Sequence, residues 1–111
     1  MCFRIVPTPE FAKQAKKLSK KFPYLRQDLL DLQEMLQENC KVGIHLGNNC
    51  YKIRLQNTSV KKGKSGGFRV IVFLLEKDKT IRLLAIYSKS ETDSIPDEEI
   101  KKILKKNDLI G

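Results

Sequence analysis

The sequence predicts an α+β fold: a small antiparallel β-sheet carrying an N-terminal α-hairpin and a C-terminal helix, in the order β-α-α-β-β-β-α. Three observations predict it. Apolar residues recur at helical spacing from Phe11 to Leu36, the period changes to two at Tyr51, and an acidic-to-basic segment follows Pro96. At 111 residues with 41% apolar content, the chain is sized for a single domain, residues 1–111, around one core.

Phe3-Arg4-Ile5-Val6 is short and β-prone and stops at Pro7 and Pro9, which reads as an edge strand. Thr8 then caps a helix, with Pro9 at its first position and Glu10 at its positive end. Phe11, Ala15, Leu18 and Phe22 form the inner stripe of that helix, and its lysines take the other faces. Phe22-Pro23-Tyr24 breaks it, and Leu25, Leu29, Leu32 and Leu36 resume the spacing to about Glu38, giving two antiparallel helices. In the strand region Tyr51, Ile53 and Leu55 alternate with Lys52, Arg54 and Gln56, so both cations share one face. Phe68 to Leu75 is too apolar to expose a full face and reads as a central strand. The polar turn Glu76 to Lys79 leads to a third apolar strand, Ile81 to Tyr87, antiparallel because the connection is too short for a crossover. The last helix opens at Pro96 and docks through Ile100, Ile103 and Leu104.

Charge points to the class of partner. The 22 Lys and Arg residues exceed the 13 Asp and Glu by nine, and residues 39–75 hold no carboxylate while carrying Lys41, Lys52, Arg54, Lys61, Lys62, Lys64 and Arg69. Such a balance favours a polyanion, nucleic acid first. Cys2, Cys40 and Cys50 are odd in number and irregular in spacing, and the chain starts without a signal-like apolar segment. These features are expected of a reduced, cytoplasmic protein that does not enter a membrane. Cys40, His45 and Cys50 form no CxxC pair and lack an evident fourth ligand, so no metal site is expected there.

Two motif fragments fail on context. Gly63-Lys64-Ser65 looks like the end of a phosphate-binding loop, but Thr58 stands where that loop requires glycine and a strand follows in place of a helix. Ser65 to Phe68 looks like an RNA-recognition-motif strand, yet Arg69 and Val70 do not supply the stacking aromatics. What remains is the basic set itself. Lys52 and Arg54 share a face, Arg69 lies on the next strand, and the Lys61 to Lys64 loop joins them. Such a cluster repels itself unless an anion arrives, and a phosphodiester suits it. The plain alternative is a solvated basic face with no specific ligand.

The residues Tyr51-Lys52-Ile53-Arg54-Leu55, Gly63 to Val70 and Ile86-Tyr87-Ser88-Lys89-Ser90-Glu91, followed by the short C-terminal helix, together resemble the RelE/HigB family of bacterial type II toxins, the mRNA interferases. The resemblance spans roughly residues 50–105, and the two preceding helices fit the family's α-hairpin. It implies a toxin that binds the ribosomal decoding site, with its 16S ribosomal RNA, and cleaves mRNA there without metal or other cofactor. The RNA 2′-hydroxyl attacks the adjacent phosphate, leaving a 2′,3′-cyclic phosphate and a 5′-hydroxyl. It also implies a small acidic antitoxin through which DNA is contacted only indirectly. By position, Lys52, Arg54 and Arg69 match catalytic or phosphate-clamping sites, with Arg69 on transition-state charge. Lys64 would contact substrate or ribosomal RNA backbone, Lys61 and Lys62 would serve the ribosome, and Tyr87 and Lys89 fall on one face of the last strand if it stays extended. The best-known RelE branch carries an Arg just before the Glu and a Tyr about five residues after it, where this chain has Ser90 and Pro96. Lys52 and Tyr87 therefore both stand for proton transfer. The competing readings are an inactive relative that grips RNA or antitoxin without cleaving, and a structural partner that meets duplex phosphates within an antitoxin complex.

Overall fold

A computed structural model of the protein describes residues 3–60, 66–92 and 94–110. The loop lysines Lys61, Lys62 and Lys64 fall outside that range. The helices form where the apolar stripes and caps dictate. Helix α1 runs Pro9–Lys21, with the Thr8 hydroxyl accepting from the Phe11 amide at 3.2 Å. Helix α2 runs Leu25–Glu38 and begins once Pro23 has passed. Both press their leucines and phenylalanines onto one face of the sheet. There Phe22 meets the fully buried Phe68 edge to face, with ring centroids 5.3 Å apart. A pair of this kind contributes about 0.5–1.5 kcal/mol beyond its burial.

Strands β1 (Arg4–Pro7), β2 (Ile44–Gly47), β3 (Cys50–Leu55), β4 (Phe68–Leu75) and β5 (Thr80–Ser88) form one sheet in the order β1-β5-β4-β3-β2. The apolar β4 is central, as its composition requires. Its even residues Phe68, Val70, Val72 and Leu74 face α1 and α2, while Ile71 and Phe73 face the opposite side. On that opposite side α3 (Asp97–Lys106) seats Ile100, Ile103 and Leu104 against Cys50, Ile71, Phe73, Leu84 and Ala85. The helices thus form two layers around the sheet.

Two features of the sheet exceed the sequence-based expectation. β1 pairs parallel to β5, from Arg4 opposite Thr80 to Pro7 opposite Leu83, so the sheet is mixed. β2 is an additional edge strand, returned to β3 by Asn48 and Asn49, both at positive φ (52° and 62°). Two consecutive left-handed residues are what a tight type I′ hairpin needs, and asparagine tolerates them.

The free edge of β5 beyond β1 is closed by α1. The Thr8 hydroxyl donates to Leu83 O at 2.8 Å, and the Gln14 side-chain oxygen accepts from the Ile86 amide at 3.0 Å. At the other end of the helix layer, Asn107 Nδ2 donates to Ile103 O and to Glu10 Oε1, tying α3 to α1 and lowering the Glu10 pKa.

Because Thr8 is at once the cap of α1 and a buried donor to β5, Thr8→Val should remove both bonds at nearly constant volume. The expected loss is about 1–2 kcal/mol, read as a lower urea midpoint with an unchanged slope.

Candidate nucleic-acid interface

Helix α3 does not reach the whole of its sheet face, and the cationic residues lie on the part left open. Register brings three of them into one row: Arg54 on β3 is opposite Arg69 on β4, which is opposite Tyr87 on β5. Directly paired residues project to the same side of a sheet. Lys52, two residues before Arg54, projects there too and is opposite Ile71. Arg54 is exposed, Lys52 and Arg69 are half-buried, and Tyr87 is 7% exposed.

Tyr87 owes its place in that row to a β-bulge. Val72 pairs with Leu83, but Ile71 pairs with Ala85, so Leu84 and Ala85 together oppose a single residue. Ile81 and Leu83 face α1 and α2, whereas after the bulge it is Ile86 that does so. Strict alternation from Leu83 would have turned Tyr87 into that helix-side core.

The electrostatics are unbalanced. Like charges directly opposite one another on neighbouring strands are destabilising, yet Arg54 and Arg69 are so placed. Among the described residues no carboxylate pairs with Lys52, Arg54 or Arg69; the ion pairs there are Lys21 with Glu91, Lys41 with Glu76 and Arg82 with Asp78. Arg69 is held from behind, its Nη1 donating to the carbonyls of Gly66 and Phe68. Backbone acceptors orient a guanidinium without cancelling its charge, leaving its other edge for a bidentate anion.

Glycines bring the last cation in. A methyl group on Gly66 would sit 2.7 Å from Lys89 Cγ and 3.7 Å from Arg69 Nη2, so the lysine stem and the guanidinium gather around that bare backbone. The Lys89 amide donates to Gly67 O at 2.9 Å, extending the pairing just past β5. Gly67 itself adopts φ +74° and passes so close to β3 that a Cβ would lie 2.5 Å from Leu55 O.

Of the sequence-predicted residues, Lys52, Arg54, Arg69, Tyr87 and Lys89 are brought together. Lys61, Lys62 and Lys64 lie outside the described residues, between Val60 and Gly66. The root of their loop is described, and sequence reasoning had no signal for what fixes it. Asp28, fully buried on α2, accepts from the Thr58 amide at 3.1 Å and hydroxyl at 2.7 Å, and the Ser59 hydroxyl accepts from the Tyr24 amide at 2.9 Å. Thirty residues separate Asp28 from Thr58, so only the fold reveals the pair. The residues weighed as a metal set are dispersed: Cys40 packs on the α1/α2 side, Cys50 on the α3 side, and the His45 ring lies tilted at 40° against Tyr51 with centroids 4.9 Å apart. Burial pushes the Cys50 thiol up to about 11.

A family model described as the RelE toxin of the RelE/RelB toxin-antitoxin system matches residues 3–109. Among solved structures, a double arginine-to-alanine mutant of E. coli toxin RelE in the free state aligns with a TM-score of 0.59 at 14% identity, covering 84% of this chain and 90% of that one. That mutant in complex with an antitoxin RelBc peptide gives 0.57 at 13% identity, covering 92% and 94%. The intact E. coli RelBE toxin-antitoxin complex gives 0.56 at 15% identity, covering 77% and 94%. At these identities the structural likeness is one of fold. No curated protein matches the chain by sequence.

The geometry makes two outcomes measurable. Gly67→Ala adds a Cβ against backbone at a positive φ and should cost about 1–3 kcal/mol, seen as a lower melting temperature. Cys50 should resist iodoacetamide at pH 8 in the native protein and react only on unfolding, since the thiolate is the nucleophile; peptide mapping of alkylated protein reads this directly.

Proposed function

This chain belongs to the RelE toxin family of toxin-antitoxin systems, and we propose that it is a ribosome-dependent endoribonuclease that works in the cytoplasm on mRNA in the decoding site. The observation that carries the reading is the Arg54–Arg69–Tyr87 row flanked by Lys52, a cationic surface without a paired carboxylate among the described residues. A solvated face has no reason to set two arginines opposite each other; a phosphodiester between them removes the repulsion.

The chemistry follows from what these groups can do. The 2′-hydroxyl of one nucleotide attacks its own 3′-phosphate, the bond to the next nucleotide's 5′-oxygen breaks, and a 2′,3′-cyclic phosphate and a 5′-hydroxyl result. Negative charge on the equatorial phosphate oxygens grows toward the transition state. Arg69, oriented from behind by two carbonyls, offers its fork to two of those oxygens, and Arg54 adds a second cation. The attacking hydroxyl must lose a proton and the departing oxygen must gain one. Lys52, half-exposed on the open face, is the leading group for proton transfer. Tyr87 is buried against its neighbours and is assigned to support the row, with its hydroxyl as the second candidate. Lys89 and the loop lysines Lys61, Lys62 and Lys64 extend the contact along the RNA backbone. An antitoxin would restrain the toxin and mediate any contact with DNA.

Removing one preorganised donor from a site of this type costs about 10²–10³ in rate. Arg69→Ala should therefore lose cleavage by about that factor while its melting curve is retained, and Lys52→Ala should lose more than Tyr87→Phe. Mapping of mRNA 5′ ends after induction, with and without translation, reads both. Growth arrest by Arg69→Ala as strong as that of the parent would refute the assignment. Salt-sensitive RNA binding without a cyclic-phosphate product would instead identify an inactive relative.

A further inference from the structure

The last turn of β5 ends beside the cationic row with backbone groups unspent. β1 pairs with β5 as far as Leu83, and beyond it helix α1 meets the edge at one amide, that of Ile86, through Gln14. Alternation fixes where the neighbouring groups point. The Lys89 amide bonds Gly67 O, so Tyr87 turns its backbone toward β4, and Ile86 and Ser88 turn theirs away from it. Of the groups turned outward, the Ile86 amide is taken by Gln14 and the Ser88 carbonyl by the amides of Glu91 and Thr92. The Ile86 carbonyl and the Ser88 amide meet no partner among the described residues, although each residue is 1% exposed. Buried backbone groups are almost always paired, and both of these residues line a hollow.

That hollow holds about 320 Å³ between α1, the β5 edge and the turn after it, at the small end of the roughly 300–1,000 Å³ usual for ligand pockets. Tyr87 lines it and also stands opposite Arg69, so the hollow opens one strand beyond the arginine, in line with the cationic row. Leu18 gives it an apolar wall, and Lys17 and Lys21, one helical turn apart, give it a cationic rim. Lys21 pairs with Glu91, which offsets the carboxylate at that rim. Lys17 is exposed and has no carboxylate partner among the described residues. Gln14 completes the polar inventory. Its oxygen faces the Ile86 amide at 3.0 Å, so its Nε2 brings the donors, and no acceptor meets them among the described residues. Along the edge the pattern is thus donor at Gln14, acceptor at the Ile86 carbonyl and donor at the Ser88 amide. The pairing edge of uracil, oxygen, N3–H, oxygen, is its complement. Adenine, guanine and cytosine present other orders and can satisfy two of these groups at most.

We propose that this hollow is a subsite for a uridine nucleotide of the RNA strand that crosses the cationic row. Uracil N3–H donates to the Ile86 carbonyl, its two oxygens accept from the Ser88 amide and Gln14 Nε2, and its phosphate meets Lys17. Reading an unstacked base on its pairing edge is the usual route to sequence preference on single-stranded RNA. A strand with one phosphate on Arg69 reaches the hollow with a neighbouring nucleotide, so the base held here sets which phosphate of an mRNA falls on Arg69. The inference rests on the RNA reading of this face and not on cleavage. A protein that bound such a strand without cutting it would keep the subsite and lose the ribonuclease assignment.

The test titrates the full chain, amide-labelled for NMR, with 2′-O-methyl trinucleotides carrying uridine, cytidine, guanosine or adenosine between two adenosines; these probes lack the attacking hydroxyl and cannot be cut. The uridine probe should shift the Ile86 and Ser88 amides and the Gln14 side-chain amide, and bind at least about tenfold tighter than the others, the discrimination of one well-made bidentate contact. N3-methyluridine in its place lacks the donor and should lose that advantage, a result that depends on no protein variant. Gln14→Glu keeps the acceptor for Ile86 and removes the Nε2 donor, and should bring the probes within about threefold of one another. Lys17→Glu alters an exposed side chain and should weaken all of them alike. Equal binding of the probes by the parent, undiminished binding of N3-methyluridine, or shifts that leave the Ile86 and Ser88 amides unmoved would overturn the proposal. Where the parent cuts mRNA, its cut sites should share a uridine at one fixed distance from the break, and Gln14→Glu should lose that bias. Cut sites without it would assign the nucleotide to ribosomal RNA and overturn its placement on the substrate strand.

Discussion

One helix too short for the face it covers governs this structure. Helix α3 has ten residues and spans about 15 Å, whereas the eight residues of β4 extend about 27 Å. Its apolar side therefore caps Cys50, Ile71, Phe73, Leu84 and Ala85 and stops. A strand cannot interrupt its alternation at that point, so the next residue on the same face must tolerate water. On β4 that residue is Arg69, on β3 it is Lys52 followed by Arg54, and the cationic row is the sheet's answer to an uncovered end. The other face has no such vacancy, because α1 and α2 together cover it, and there β4 places Phe68 where the α3 side has Arg69.

Local irregularities then decide how closely the polar groups converge. Without the bulge at Leu84 and Ala85, Tyr87 would belong to the α1/α2 core and Ile86 would stand beside Arg69. Without Gly67 the chain could not approach Leu55 O, and Phe68 would not enter β4 in register with Ser88. Each device is a departure from ideal strand geometry, and both sit next to the same arginine. Strain and irregularity gathered around one cationic side chain is the pattern expected where a site, and not stability, sets the local structure.

How much of this the sequence could say depends on whether the signal was local. The boundaries of α2, β4 and the α1 cap were legible because the helical leucines, the β-branched run and Thr8-Pro9 each act within a few residues. The shared face of Lys52 and Arg54 was legible for the same reason, since period two needs no partner strand. β2 was missed because Ile44 to Gly47 is short and exposed, although Asn48-Asn49 carried a turn signal. The parallel partner of β1 and the clamp between Asp28 and Thr58 are set by pairing across 30 to 76 residues. The bulge in β5 is set by its register with the neighbouring strand β4. The periodicity within a single element shows none of the three. The placement of Tyr87 beside Arg69 was therefore right in outcome, but it depends on a bulge that alternation does not predict.

The distribution of charge links the two faces. Carboxylates are absent from residues 39–75, which build the cationic side. Of the thirteen in the sequence, Glu10 and Asp97 to Glu99 sit where a helix N-terminus favours them and Asp31, Glu34 and Glu38 are exposed on α2, while Asp28, Glu76, Asp78, Glu91, Asp93 and Asp108 are scattered through the rest of the chain. Keeping carboxylates out of residues 39–75 leaves the self-repulsion of the cationic side unrelieved, since mixing the signs would reduce it. In the field of a polyanion such a distribution would turn the cationic side inward.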